Sequence, residues 1–223
     1  MQQTLVTGVL LIGPTGSGKT PLGESLVNQE FGHWRFHHFD FGQQLRNVAS
    51  GFDSRGLFNE DERHLISNIL TSGRLLHDEE FFIADRLLRS FLSQLPKEPN
   101  RTQIVVLNGL PRNVFQAQCL EKILTIKLVI ALECDQNVVF QRIRSDVGGD
   151  RIGRRDDSQD LIAKKYVTYE SETRPLRDYY KDRGVPTVKL SVTVSTTATE
   201  LRSSFLDHWS KLFEDKLPAR SLT

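Results

Sequence analysis

The chain has 223 residues, 29 Lys and Arg against 28 Asp and Glu, and a formal net charge of +1. So even a balance gives no acidic or basic field that would make nucleic acid or a charged membrane surface the main partner. Hydrophobic residues are 38% and aromatics 9%. No apolar run approaches the roughly 20 residues of a membrane span, and the first four residues lack the basic start and apolar core of a secretory signal. A protein of the cytoplasm is expected. Cys119 and Cys134 stand far apart, so no disulfide framework or CxxC metal site is implied, and both are expected to be buried free thiols.

The first expected strand, residues 4–12, runs into Gly13-Pro14-Thr15-Gly16-Ser17-Gly18-Lys19-Thr20. This octet satisfies the phosphate-loop pattern G-x-x-x-x-G-K-[ST] at every fixed position, and helical apolar spacing follows it to about residue 30. Glycines let the backbone turn tightly and aim several N–H groups at one point, a nest for anionic oxygens. The helix start adds partial positive charge. Lys19 is placed to reach the β- and γ-phosphates, and the Thr20 hydroxyl to ligate Mg²⁺.

Residues 34–39 form a short second strand ending at Asp40, and a helix opens at Phe41. A polar patch at 50–56 breaks it. A further helix over about 59–71 stops at Ser72-Gly73, and Asp78 is expected to cap the next, with Phe82, Leu87, Leu88, Phe91 and Leu95 on one face. Residues 104–107 are a third strand, ending at Asn108-Gly109-Leu110-Pro111-Arg112, with a helix to about 124. The fourth strand is 128–132, followed by a helix over 137–145 and a polar, glycine-bearing loop over 146–157. Ser158 opens a long helix carrying Ile162, Tyr166 and Tyr169, with a kink at Pro175. The fifth strand is 186–190, and Leu201, Phe205, Trp209 and Phe213 mark the last helix.

Apolar strands alternating with helices predict an α/β fold, a parallel five-stranded sheet flanked by helices. Ligands on such sheets bind beyond the carboxyl ends of the strands. Those ends carry the phosphate loop, Asp40-Phe41-Gly42, Asn108 to Arg112, and Glu133 onward. Arg46, Arg112 and Arg142 follow three of them, and Arg151, Arg154 and Arg155 lie in the polar loop beside Asp156-Asp157. Fixed guanidinium groups suit a site that must neutralise a transferring phosphoryl group. Each arginine alone also fits a solvated surface, and the Arg154 to Asp157 run also fits a helix start with local ion pairs. The Gln116 amide has a paired donor and acceptor suited to a base edge, although a solvated glutamine is the ordinary alternative. His33, His37 and His38 lack a third ligand at metal spacing.

Together these segments resemble the adenylate kinase family of nucleoside monophosphate kinases over about residues 10–180. The resemblance rests on the phosphate loop, Phe41 to Arg46, Gly73 to Asp78, Asn108 to Arg112 with Gln116-Ala117, Gln141-Arg142-Ile143 and Arg154 to Asp157. It implies a P-loop NTPase domain over residues 1–223 with two mobile insertions, a monophosphate-binding flap at about 41–78 and a short lid at about 145–157.

It further implies Mg²⁺ with ATP as cofactor, and ATP and AMP, or another nucleoside monophosphate, as the bound partners of a monomer. Gly13, Thr15, Gly16, Ser17, Gly18, Lys19, Thr20, Arg142 and Arg154 would hold ATP, with Arg142 against the adenine. Phe41, Gly42, Arg46, Leu75, Leu76, Gly109, Arg112, Gln116 and Lys165 would hold the monophosphate. Lys19, Arg112, Arg154 and Lys165 would be catalytic. Thr20 would bind the metal directly, and Asn108 and Asp156 through water.

Four positions depart from the family pattern. Asn108 stands where an aspartate that helps place Mg²⁺ is usual, Phe41 where a threonine is, Lys165 where an arginine is, and Asp146 about where the lid has an arginine that Arg144 or Arg151 would replace. They keep two alternatives open: a kinase for another small acceptor, CMP, UMP or shikimate-like, and a nucleotide-binding homologue with weakened catalysis.

Overall fold

The computed structural model describes residues 5–27, 31–52, 56–149 and 158–213. Five strands, β1 (Val6–Ile12), β2 (Trp34–Asp40), β3 (Thr102–Asn108), β4 (Leu124–Glu133) and β5 (Thr187–Ser191), pair in parallel in the order β2-β3-β1-β4-β5. Parallel neighbours require crossover connections, so helices cover both faces and the strands read as continuous apolar runs. The strand alternation divides the core. Leu10 and Ile12 of β1 point into one cluster with Phe39, Leu107 and Tyr180, whereas Val9 and Leu11 point into another with Leu22, Phe36, Phe205 and Trp209.

The helices are α1 (Lys19–Leu26), α2 (Phe41–Ala49), α3 (Glu60–Ser72), α4 (Phe81–Leu92), α5 (Val114–Leu120), α6 (Gln136–Ser145), α7 (Gln159–Thr168), α8 (Leu176–Lys181) and α9 (Ala198–Phe213). None in the described residues is long and apolar enough to cross a membrane. The expected starts and stops are chemically explicit at α3. Asn59 and Glu62 form a reciprocal capping box, and Gly73 ends the helix at φ 64.

Several expectations from the sequence need correction. Asp78 caps nothing: it opens a 3-10 turn (Asp78–Glu80) whose N-cap is His77. That turn shifts the phase of α4, so Ile83, Ala84, Leu87 and Leu88 face inward while Phe82 is exposed, 5.2 Å beneath the Arg86 guanidinium. Leu95 lies beyond the end of α4. The helix expected to reach 124 stops at Leu120, and Leu124 already belongs to β4. Ser158 does cap α7, but the long helix is interrupted before Pro175 by a π-helical turn (Tyr169–Thr173). Cys119 and Cys134 are free but half-buried; burial still pushes the Cys134 thiol up to about 11.

Because every strand runs the same way, the carboxyl ends of β1, β2 and β3 meet at one edge. Leu11 and Asp40 are both register partners of Asn108. The polar residues that end these strands are thereby brought side by side, although Asp40 and Asn108 are 68 residues apart in the chain.

Candidate active site

The loop after β1 is shaped by close approach. A Cβ on Gly13 would lie 2.6 Å from Ser17 Oγ and 2.9 Å from the Leu132 carbonyl. One on Gly16 would meet the Ile143 side chain at 2.7 Å, and both Gly16 and Gly18 have positive φ. Gly18 is the N-cap of α1 and no side chain caps that helix, which leaves its first N–H groups for an anion. Ser17 is fully buried beneath the loop. Lys19 folds back over it, donating from Nζ to the carbonyls of Gly13 at 2.8 Å and Pro14 at 2.7 Å.

Thr20 meets the ends of β2 and β3. Its hydroxyl donates to Asp40 Oδ2 at 2.6 Å, and Asn108 Nδ2 donates to Thr20 Oγ1 at 2.9 Å and to Asp40 Oδ2 at 2.8 Å. Asp40 Oδ1 accepts from the Gln43 N–H at 2.9 Å and so caps α2. A hydroxyl and a carboxylate side by side are hard oxygen donors of the kind Mg²⁺ takes when it is shared between a protein and phosphates. The residues at the end of the loop therefore fit that ion.

From α2, Arg46 reaches back so that Nη2 donates to Gln43 Oε1 at 2.9 Å. Arg112 follows β3 and its Nε donates to Thr173 Oγ1 at 3.2 Å. No carboxylate in the described residues pairs with it, and burial lowers its pKa from the usual arginine value. A desolvated guanidinium without an anion is poised to take one. The Gln116 carbonyl accepts from the Arg112 N–H at 2.8 Å, which fixes which end of the amide faces which way. Gln116 is buried at 2% exposure.

These groups line one open cleft of about 1360 Å³, its mouth included. The phosphate-loop residues Gly13, Thr15, Gly16, Gly18, Lys19 and Thr20 form one wall. Phe41, Gly42 and Arg46 of α2, with Leu75 and Leu76 after α3, line the same cleft. Asn108, Gly109, Arg112 and Gln116 line it after β3, and Arg142 of α6 and Lys165 of α7 also contribute. Ser17 lies under the loop and does not line the cleft. Arg151, Arg154, Asp156 and most of the expected lid lie outside the described residues. Arg144 is exposed and does not line the cleft, and Asp146 ends α6 at φ 44.

Arg142 is buried among carbonyls. Its Nε donates to Gly16 O at 3.0 Å, and Nη1 donates to the carbonyls of Thr193 and Thr196, each at 2.8 Å. It thereby joins the phosphate loop to the segment after β5.

Three contributors were not singled out in the sequence. Asp40 stands at the sheet edge where ligands are expected, but the sequence gives it no role of its own. Thr173 read as part of a long helix. Arg74 holds the segment after α3 by a two-pronged bond to Glu80, with both N···O distances 2.6 Å, while Glu80 also accepts from the His77 N–H at 2.7 Å. The only available signal was positional: Asp40 ends a strand beside Asn108, and Arg74 and Glu80 flank a turn.

Comparison with known proteins agrees with this geometry. A family model described as adenylate kinase matches residues 11–185. An adenylate kinase of Synechococcus sp. (strain WH7803) is 30% identical over 202 residues, covering 88% of this chain and 97% of that protein. One of Nitrobacter winogradskyi is 28% identical over 188 residues, covering 79% and 81%. One of Bartonella quintana is 29% identical over 187 residues, covering 79% and 88%. The chain belongs to the adenylate kinase family, and is a phosphotransferase of the nucleoside monophosphate kinase class.

Proposed function

We propose that this enzyme transfers the γ-phosphoryl group of Mg·ATP reversibly to AMP, giving two ADP. The observation that carries this reading is that Arg112 and Arg46 line the same cleft as Lys19. An acceptor phosphate held by the two guanidiniums would face the terminal phosphate held by the loop. An acceptor oxygen then bonds to the γ-phosphorus as the bond to the β-phosphate oxygen breaks, and ADP leaves. Positioning and charge neutralisation suffice, with no covalent enzyme intermediate.

Lys19 would release the Gly13 and Pro14 carbonyls to hold the β- and γ-phosphates. Its three donors now occupy part of the anion site, so exchanging carbonyls for phosphates strengthens rather than creates its bonding. Thr20 would hold the magnesium ion, which supplies charge neutralisation on the phosphate oxygens when bound. Arg112 follows the transferring group, and Lys165 offers a point charge from α7. Arg142 keeps the loop and the segment after β5 together beside the ATP base. Arg154 and Asp156 would act from the lid, closing over the cleft to exclude water, and residues 41–78 would close from the other side.

The orientation of Gln116 supports adenine. One carbonyl lone pair holds the Arg112 N–H, so the second lone pair and the NH₂ remain for a base. That pair fits an exocyclic amino group beside an unprotonated ring nitrogen, the edge of adenine or cytosine. The reverse edge of uracil or guanine pairs with the same amide only with the base turned over. The length of glutamine and the likeness to the family favour adenine. The same reading makes the protein a monomer acting in the cytoplasm.

A coupled assay of ADP formation across AMP, CMP, UMP, GMP and shikimate, with Mg²⁺ and Mn²⁺ compared, tests the acceptor. AMP is expected to be turned over fastest, with CMP the next best. Strong turnover of another acceptor with none of AMP would contradict the proposal.

A further inference from the structure

We propose that Asp40, at the end of β2, is the carboxylate that positions the magnesium ion beside Thr20, in place of the acid expected at position 108. The inference rests on the reading of this cleft as a Mg·ATP site.

The geometry starts from the pairing of β2 with β3. Asp40 and Asn108 are register partners at the ends of neighbouring strands, so their side chains emerge beside each other and next to Thr20. An acid on either strand would deliver a carboxylate to nearly the same place. Here the amide stands on β3 and the acid on β2.

The hydrogen-bond directions are forced. A carboxylate only accepts, so the Asn108 side chain must turn its NH₂ toward Asp40 Oδ2, where it sits at 2.8 Å. The same NH₂ donates to Thr20 Oγ1 at 2.9 Å. The Thr20 proton is given to Asp40 Oδ2 at 2.6 Å. Thr20 Oγ1 therefore has one lone pair engaged by the amide and one left, the one that a hard cation needs. Asp40 fixes this arrangement by taking the proton, and it brings the negative charge that Asn108 lacks.

Asp40 has a second bond that an acid on β3 would not have. Its Oδ1 caps α2, the helix that carries Arg46. One carboxylate thus links the donor-phosphate side of the cleft, through Thr20, to the acceptor side, through α2. It is a positioning residue: it acts on the metal through Thr20 and solvent.

The test exchanges the two side chains. Asp40→Asn keeps the cap on α2, because asparagine caps as well as aspartate, but it puts an NH₂ where Thr20 and Asn108 now donate and removes the charge. The exchange Asp40→Asn with Asn108→Asp restores one acid and one amide with the polarity reversed. Titration calorimetry with ATP in EDTA first measures nucleotide binding without metal. Electron paramagnetic resonance then measures Mn²⁺ dissociation from the enzyme·ATP complex, with no acceptor present. The Mn²⁺ dissociation constant is expected to rise about tenfold or more in Asp40→Asn and to return near the wild-type value in the exchanged protein, with ATP affinity in EDTA little changed in either. A Mn²⁺ affinity indifferent to Asp40→Asn, or a loss that the exchange does not reverse, overturns the inference alone. Failure of the wild-type protein to bind ATP overturns the nucleotide reading and the inference with it.

Discussion

Thr173 and Arg112 hold each other in both directions. Thr173 Oγ1 donates to the Arg112 carbonyl at 2.9 Å and accepts from its Nε at 3.2 Å. Thr173 is buried and ends the π-helical turn between α7 and α8. Such a turn widens the helix locally, and this one presents a hydroxyl to Arg112. Thr173→Val keeps the shape and removes both bonds. The expected result is a kcat about tenfold lower with a smaller change in acceptor KM, and about 1–2 kcal/mol of lost stability. Thr173→Ser is expected to restore kcat. A stability loss with unchanged kcat would give the pair a purely structural role.

Arg112 itself offers a planar fork to a phosphate, and lysine offers a point charge. Arg112→Lys should leave the fold intact, because no carboxylate among the described residues depends on the guanidinium. Losing charge-assisted bonds of about 2–3 kcal/mol should lower kcat/KM about 100-fold. Steady-state kinetics beside a thermal melt checks this, and unchanged turnover would remove Arg112 from the site.

Gly23 allows α1 to lie on β2. A Cβ there would sit 2.3 Å from the His38 ring, and His38 is half-buried, with its pKa lowered by desolvation. Gly23→Ala should therefore cost about 1–3 kcal/mol through overpacking. In Gly23→Ala with His38→Ala most of the clash should vanish, so the two changes should be clearly non-additive in denaturant midpoints. Simple additivity would mean that the ring moves aside at no cost.

The bond from Arg74 holds the Glu80 pKa below the usual carboxylate value, opposed by burial and helped by the His77 N–H. The folded state thus binds this proton less readily than the unfolded state. The stabilisation is fully present above the unfolded value near 4.5 and is lost as pH falls through the folded value. Glu80→Gln should lose about 2 kcal/mol at neutral pH. Urea unfolding from neutral to acid pH should show the gap to the wild type closing below the unfolded value. A gap independent of pH would mean that the ion pair contributes nothing.

Much of this architecture can be read from local pattern. The strand ends and the phosphate loop follow from apolar runs and glycine spacing, because a buried parallel strand and an anion nest each leave a contiguous signature. What escaped the sequence depends on register. The Asp40–Asn108 pair is set by strand pairing across 68 residues, and nothing near Asp40 in the chain announces its partner. Arg142 similarly finds its carbonyls on segments far removed in sequence. The face of α4 departs from its apolar spacing at Phe82 because a 3-10 turn of three residues displaces the helical phase. Pro175 signals a kink in the sequence, but the π-helical turn that serves Arg112 leaves no local residue pattern that distinguishes it from α-helix.

The most direct test supplies the purified protein with Mg²⁺, ATP and AMP and follows all three nucleotides by ³¹P NMR. Two ADP should appear for each ATP consumed, with no free phosphate, and the same mixture should form when ADP alone is supplied. ATP and AMP both bound, with no ADP produced from them, would contradict the account.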